Sequence, residues 1–369
     1  MSASSTAFSA ARLVCPRCRR AGHDGRLVRY PLSASVEGAR VTAVPGMLDG
    51  VGSVECTNAA CLARYPVVEG IPVVFADAGA IDLANAGLLD VTANPAERLL
   101  AAVQGQVPEA PLSALVARLS RICWAAFHDW MGDDGHVPGV ACEVHAVQFV
   151  RWLREHPTGT AVDEPINVVA GAGAGRESWE IEQGTVLLLD AHLPSLLASR
   201  RLRTTGSIDL LLREGTTGWK PLTLRARRSP AAQVAEVCCD MQDPPFDAGW
   251  AGQVLLPNVV DSVANPYLVL MQSRAMVGSG GSLTVCSPFT WRAEVTPQDR
   301  WLERLASLAG SGPQDVVTAL ITEQPPGQFA PAGSAELSWC TRVSNREAIV
   351  YRNSLLRYVR VAPSRGPLG

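Results

Sequence analysis

From Ile166 onward the chain sets short apolar runs between stretches of helix-forming residues: INVVA, TVLLLD, AEVCCD, GQVLLPN and GSLTVCS. Apolar runs of this length, bounded by turn residues, read as strands buried on both faces, and their alternation with helices predicts a parallel, doubly wound α/β sheet. Between Arg203 and Pro230 another pattern intrudes. SIDLLLREG and KPLTLRARR each alternate apolar and polar residues, which predicts an inserted β-hairpin over about 203–230. The tail LSWCTRVSNREAIVYRNSLLRYVRV predicts a closing antiparallel strand pair. Upstream, PAERLLAAVQ, APLSALVARLSRICWAAFHDWM and VACEVHAVQFVRWLREH carry apolar residues at helical spacing and predict a helical connector or cap over 79–160. Before it, two cysteine pairs, many turn residues and short β-type runs predict a small ribbon over 1–78, leaving 161–369 for the sheet domain.

Composition narrows the class of partner. A chain of 369 residues is long enough for one large core or two modest ones. Its formal net charge of −3 argues against a nucleic-acid or anionic-membrane partner, because a phosphate-binding surface needs clustered Lys and Arg in excess. The run Arg225-Ala226-Arg227-Arg228 reads as solvated loop charge. No apolar stretch is long enough to span a membrane, and MSASSTAFSAARLVC lacks the basic start and apolar middle of a secretion signal. The expected location is cytoplasmic, so the 10 cysteines read as thiols or metal ligands rather than disulfides. Assembly stays open, with a homodimer as one outcome.

The first run, INVVA, breaks directly into GAGAGRES. A strand followed at once by spaced glycines places bare backbone at the carboxyl edge of the sheet, where a ligand approaches peptide N–H groups and the start of the next helix. The glycines are Gly171, Gly173 and Gly175. The dinucleotide pattern G-x-G-x-x-G needs a glycine at position 176, which is Arg, so the register is G-x-G-x-G instead. TVLLLD ends in Asp190, followed by Ala191, at the distance where a carboxylate accepts ribose hydroxyls. That acid alone does not separate one nucleotide cofactor from another. The third strand ends at Asp240 and Met241, and the fourth runs into Asn258 and Asp261.

In their order and spacing these stretches, over roughly residues 160–300, resemble the class I S-adenosylmethionine-dependent methyltransferases. The resemblance implies a Rossmann-like sheet of that type. It also implies S-adenosylmethionine as cofactor: Gly171, Gly173 and Gly175 around its methionine part, Asp190 with Ala191 on the ribose, and Asp240 with Met241 on the adenine. Asn258 would complete the cofactor site. Residues after the fourth and fifth strands would face the methyl group, which nominates Asn258, Asp261, Ser287, Phe289 and Trp291 as the catalytic pocket, with Trp339, Arg342 and Arg346 of the tail near the acceptor.

NVVDSV, SPFTW and the tail look like the branch that handles small amino-acid-like acceptors, including the module attached to ovothiol-forming enzymes. A small-molecule acceptor of secondary metabolism, methylated on nitrogen or oxygen, is therefore the leading expectation. A cyclase that closes the cofactor's own side chain to azetidine-2-carboxylate, releasing methylthioadenosine, is the alternative enzyme. A non-catalytic, cofactor-binding interaction protein is the third reading.

LVCPRCRR and VECTNAACLARYPVVEGIPVVF supply Cys15, Cys18, Cys56 and Cys61. Two such knuckles can present four thiolates to a structural zinc, which is the leading expectation; the second spacing is wider than the usual two, and ordinary buried cysteines are the alternative. The flanks resemble the small zinc-ribbon protein that activates transfer-RNA and release-factor methyltransferases. Cys123, Cys142, Cys238, Cys239, Cys286 and Cys340 read as core residues, His23 as an exposed loop residue, and His128, His136 and His145 as surface or helix-packing residues more than as a base.

Overall fold

The computed structural model describes residues 8–18, 20–21, 27–36, 38–76, 130, 142–158, 165–214, 218–226, 228–293, 295–305, 312–323, 328–342 and 348–361. Most of the connector expected over 79–160, together with Cys123, His128, His136, His23 and Arg346, lies outside them. The described part of that connector contains one helix, α1 (His145–Glu155).

Five parallel strands form the centre: β8 (Ile166–Ala170), β9 (Thr185–Asp190), β12 (Gln233–Cys239), β13 (Ala251–Pro257) and β14 (Val277–Ser287). Their spatial order is β12-β9-β8-β13-β14. The chain starts in the middle, builds outward one way, then reverses beside β8, which leaves a crevice between β8 and β13 at the carboxyl ends of the strands. Two long antiparallel strands, β16 (Ala348–Val361) and then β15 (Gln328–Arg342), close the far side next to β14. This is the Rossmann-like, doubly wound sheet with an antiparallel closing pair.

Burial on both faces explains the unbroken apolar runs. Val168, Ala170, Leu187, Leu189, Val254 and Leu256 pack into one cluster, with α4 (Pro266–Met276) and α5 (Pro313–Thr322). The intervening Val169, Val186, Leu188 and Leu255 pack into a second cluster, against α1 and α3 (Leu193–Thr205). Strand alternation thus feeds two layers at once, and the few buried polar residues of these strands, such as Asn167, Glu236 and Thr284, are exceptions. The inserted hairpin is present as β10 (Ser207–Glu214) paired with β11 (Gly218–Arg225). The glycine-rich GSGG lies inside β14. A Cβ at Gly281 would sit 2.7 Å from the Gly252 carbonyl oxygen, so the close approach of β13 demands glycine there.

The ribbon is continuous with this sheet. Its strands β3 (Leu32–Val36), β4 (Ala39–Thr42), β5 (Ser53–Cys56) and β6 (Arg64–Val68) are antiparallel, and β6 turns into β7 (Ile71–Val74) through Glu69 and Gly70, both at positive φ as a two-residue type I′ turn requires. Strand β7 then pairs in parallel with β12, Val73 opposite Cys238 and Val74 opposite Cys239. The would-be edge of the parallel sheet is covered, and the segments divided at position 78 in the sequence share one hydrogen-bonded sheet. Two shorter strands, β1 (Arg20–Ala21) and β2 (Leu27–Val28), pair with each other beside it.

Charge enters the interior only where it is held. Glu236 on β12 is fully buried, bridged by Arg200 at 3.4 Å and by Arg203, both from α3. Arg357, also buried, donates to the His156 and Leu153 carbonyls and so caps the carboxyl end of α1.

Backbone geometry supplies a stability test at the start of β9. Gly184 has φ +76°, and a Cβ there would lie 2.1 Å from the Pro165 carbonyl oxygen. Gly184→Ala is expected to cost about 3 kcal/mol, combining left-handed strain with a clash against backbone, read as a fall in the urea midpoint with an unchanged m-value.

Candidate active site

The loop after β8 is built from alternate left-handed residues. Gly171, Gly173 and Gly175 have φ of +68°, +52° and +67°. Space forbids side chains at two of them as well: a Cβ on Gly171 would lie 2.5 Å from Val259, and one on Gly175 would lie 2.4 Å from Leu188. The loop is pinned to the next strand. Gly171 N–H and Ala172 N–H donate to the Leu189 carbonyl, and Gly173 N–H donates to Asp190 Oδ2 at 2.7 Å. The helix that follows, α2 (Glu177–Glu180), is a single turn. So short a helix aligns few peptide dipoles, so the positive helix end expected from the sequence contributes little and the bare loop backbone is what a ligand meets.

Asp190 stands at the carboxyl end of β9 with both oxygens engaged, Oδ1 accepting from His192 N–H at 2.7 Å. Burial pushes its carboxyl above the usual range, and the two backbone donors pull it partly back. Ala191 is half-buried beside it. Asp240, at the end of β12, accepts from Gln242 N–H at 2.8 Å, while the Met241 side chain is buried in the core. Asp190 and Asp240 thus line up along the carboxyl edges of adjacent strands, on the β9 side of the glycine loop.

On the other side, over the crevice between β8 and β13, lies a cavity of about 350 Å³ lined by Gly171, Gly173, Asn258, Asp261, His145 and Tyr351, among others. Asn258, following β13, holds φ +54° and donates its N–H to the Cys286 carbonyl at 2.7 Å. Its side-chain oxygen accepts from Asn353 Nδ2, which also lies 3.2 Å from His145 Nε2. Asn353 and His145 are both buried, so a polar relay crosses from β13 to β16 to α1 beneath the cavity floor. Asp261 is buried too. It accepts from Thr290 N–H at 3.1 Å, and burial raises its carboxyl above the ordinary value. Trp339 and Tyr351, directly paired across β15 and β16, stack at 5.0 Å and form the far wall.

Three residues nominated for this pocket do not reach it. The wall after β14 is made by Pro288, Thr290 and Arg292. Ser287, Phe289 and Trp291 have the opposite parity and turn behind it: Ser287 Oγ accepts from Phe289 N–H at 3.0 Å, Phe289 is buried at φ +51°, and Trp291 packs on the core with its Nε1 donating to Glu303 at 2.9 Å. Asn258 and Asp261 do line the cavity. The Arg342 side chain lies outside the described residues. His145 had been read as a packing residue, and Asn353 and Tyr351 were not singled out. The cross-strand register of the tail is the only sequence signal that pairs Tyr351 with Trp339.

A larger cavity, about 710 Å³, opens at the other end of the strands, beside Asn167, Gln253 and Arg357. It lies at the amino ends of β8 and β13, where doubly wound sheets do not place their ligands, so size does not choose the site.

Among the described residues, Cys15, Cys18, Cys56 and Cys61 gather with all four sulfurs within 4.8 Å of one another. Cys15 and Cys61 sulfurs are 3.8 Å apart and Cys18 and Cys56 sulfurs 3.6 Å. A tetrahedral site with metal–sulfur bonds of about 2.3 Å has edges of about 3.8 Å, so the donor set fits a thiolate-bound metal. The Tyr65 hydroxyl lies 3.2 Å from Cys15 Sγ.

No protein-family model matches the sequence, and neither does any curated protein. Solved structures that are similar in fold include the CurJ carbon methyltransferase, at 11% identity over 76% of this chain and 68% of that one with a TM-score of 0.38. They also include the geranyl diphosphate C-methyltransferase of Streptomyces coelicolor A3(2), at 13% identity over 59% and 81% with a TM-score of 0.37. An S-adenosylmethionine-dependent methyltransferase of Methanosarcina mazei is similar at 10% identity over 57% and 98%, with a TM-score of 0.38. The fold class is that expected from the sequence, an α/β, Rossmann-like doubly wound sheet, with a cysteine cluster at its amino-terminal side.

Burial beside Asp190 yields a pH test. The His192 imidazole is pushed down to about 4 by desolvation, against 6.5 for an exposed ring. The folded chain therefore keeps the ring neutral while the unfolded chain takes up a proton. The stability this contributes is present above pH 6.5 and drains away as pH falls toward 4. His192→Gln should remove that loss, so that the free-energy difference between variant and parent drifts in the variant's favour below pH 6.5, by up to about 1.4 kcal/mol per pH unit in unfolding titrations.

Proposed function

We propose that the chain is an S-adenosylmethionine-dependent methyltransferase acting on nitrogen or oxygen of a small, amino-acid-like or natural-product acceptor. The observation that carries this reading is the left-handed glycine loop hydrogen-bonded to Asp190 at the switch point, with Asp240 beyond it on the next strand. The backbone of Gly171, Gly173 and Gly175 would hold the methionine part, Asp190 with Ala191 the ribose, Asp240 with Met241 the adenine, and Asn258 the space between cofactor and acceptor. Bound S-adenosylmethionine would supply a methyl group on a sulfonium, ready for in-line attack.

The chain itself contributes alignment and exclusion of water. Trp339 and Tyr351 wall the acceptor end with rings. Asp261, its carboxyl raised by burial and hydrogen-bonded by Thr290 N–H and Ser287, would orient an acceptor or take its proton where it arrives protonated. Ser287, Phe289 and Trp291 serve by supporting the loop that carries Thr290. A cavity of about 350 Å³ suits a small acceptor, and the net charge of −3 does not favour a nucleic acid or a membrane. Among the described residues no helix is long and apolar enough to cross a membrane.

Cys15, Cys18, Cys56 and Cys61 are assigned to one structural zinc, whose binding would join the two knuckles of a ribbon with little core of its own. The purified chain should carry one equivalent of zinc by elemental analysis. Cys56→Ser should lose it and lower the thermal midpoint by about 5 °C or more.

Incubation with methyl-labelled cofactor and a panel of small amines and amino acids tests the activity. The expected product is adenosylhomocysteine formed only with acceptor, and Asp190→Ala should weaken adenosylhomocysteine binding about tenfold or more by calorimetry. Methylthioadenosine released without acceptor, or uptake of a nicotinamide or flavin nucleotide in place of the adenosyl cofactor, would overturn the reading.

A further inference from the structure

The segment after β12 runs Asp240-Met241-Gln242-Asp243-Pro244-Pro245-Phe246. Two consecutive prolines deprive it of N–H groups, so it can be tied down chiefly through its carbonyls. The ribbon supplies the donors. Arg29 Nη1 donates to the Pro244 carbonyl at 3.1 Å and to the Phe246 carbonyl at 2.6 Å, and Val14 N–H donates to the Pro245 carbonyl at 2.9 Å. Three successive carbonyls are thereby held from residues more than two hundred positions away. Leu13 bridges Phe246, whose ring is buried in the same cluster as Cys15 and Cys18.

We infer that Arg29 is a positioning residue for the cofactor: it holds the Pro244–Phe246 turn and through it the placement of Asp240 and Met241. This rests on the reading of Asp240 as the adenine acid. One guanidinium nitrogen serves two carbonyls of a turn that Val14 also grips, so the charged group acts as a clasp rather than a surface ion pair. Strand β7 fixes the same segment from its other end, at Val74 opposite Cys239. Asp240 therefore lies between two ribbon contacts, and what moves the ribbon moves the acid.

The test compares the full-length parent, Arg29→Ala and Arg29→Lys, each checked for zinc content and thermal midpoint. Hydrogen exchange is read at the Met241, Gln242, Asp243, Phe246 and Asp247 amides, and adenosylhomocysteine affinity by calorimetry. Arg29→Ala should speed exchange at these amides and weaken binding about tenfold, the equivalent of one lost charge-assisted hydrogen bond, raising KM for the cofactor while leaving kcat near the parent's. Arg29→Lys, a single point donor, should restore part of both effects, and it carries the test if the alanine variant does not fold. Unchanged exchange, or faster exchange with parental affinity, overturns the inference. A parent that does not bind adenosylhomocysteine overturns the cofactor reading and this inference with it, and that result is told apart by preceding any substitution.

Discussion

Val259 and Leu188 press on the turn after β8 so closely that Gly171 and Gly175 have no room for a Cβ. That crowding follows from the two buried layers of the sheet: Leu188 belongs to one and Val259 to the other, and the loop must escape between them. A chain forced out in this way alternates left-handed residues, and its N–H groups are held by the Leu189 carbonyl, by Asp190 and by the loop's own Ala172 carbonyl. Packing and ligand geometry are therefore one constraint. Loosening the core behind the glycines would loosen the cradle in front of them.

The same economy governs the other side of the crevice. Asn258 accepts left-handed strain at the end of β13 and is tied by Asn353 to His145, so that strands β13 and β16 and helix α1 converge on one buried polar relay. Such a relay is costly unless satisfied, which makes its geometry specific. The aromatic pair Trp339 and Tyr351 extends the wall from the tail hairpin, and Asp261 lines the same cavity with its carboxyl raised above the ordinary value by burial. The cavity is lined by both charged or polar side chains and aromatic rings.

The ribbon belongs to this arrangement. By pairing β7 with β12 it removes an exposed edge, and by gripping the turn after β12 it reaches the neighbourhood of Asp240. Its four thiols, from two separate loops, gather within 4.8 Å of one another.

How much of this could be read in advance depends on the length scale of each contact. INVVA and TVLLLD coincide with β8 and β9 because a strand buried on both faces is mostly apolar and so writes itself into the sequence. The glycine spacing, the acids at the strand ends and the cysteine pairs were legible for the same reason: each is demanded by local backbone geometry or by ligand number. Nothing local distinguishes Ser287, Phe289 and Trp291 from Pro288, Thr290 and Arg292, since which parity faces the crevice is settled by the turn after β14 and the left-handed Phe289. The partnership of His145 with Asn353 spans 208 positions, and that of Arg29 with Phe246 spans 217. The sequence by itself determined the sheet, its central loop and the types of residue available for chemistry, because those follow from burial and backbone sterics within a few residues. Only the tertiary structure decided which of them meet, because contacts between distant segments depend on strand order and register, which no local pattern encodes.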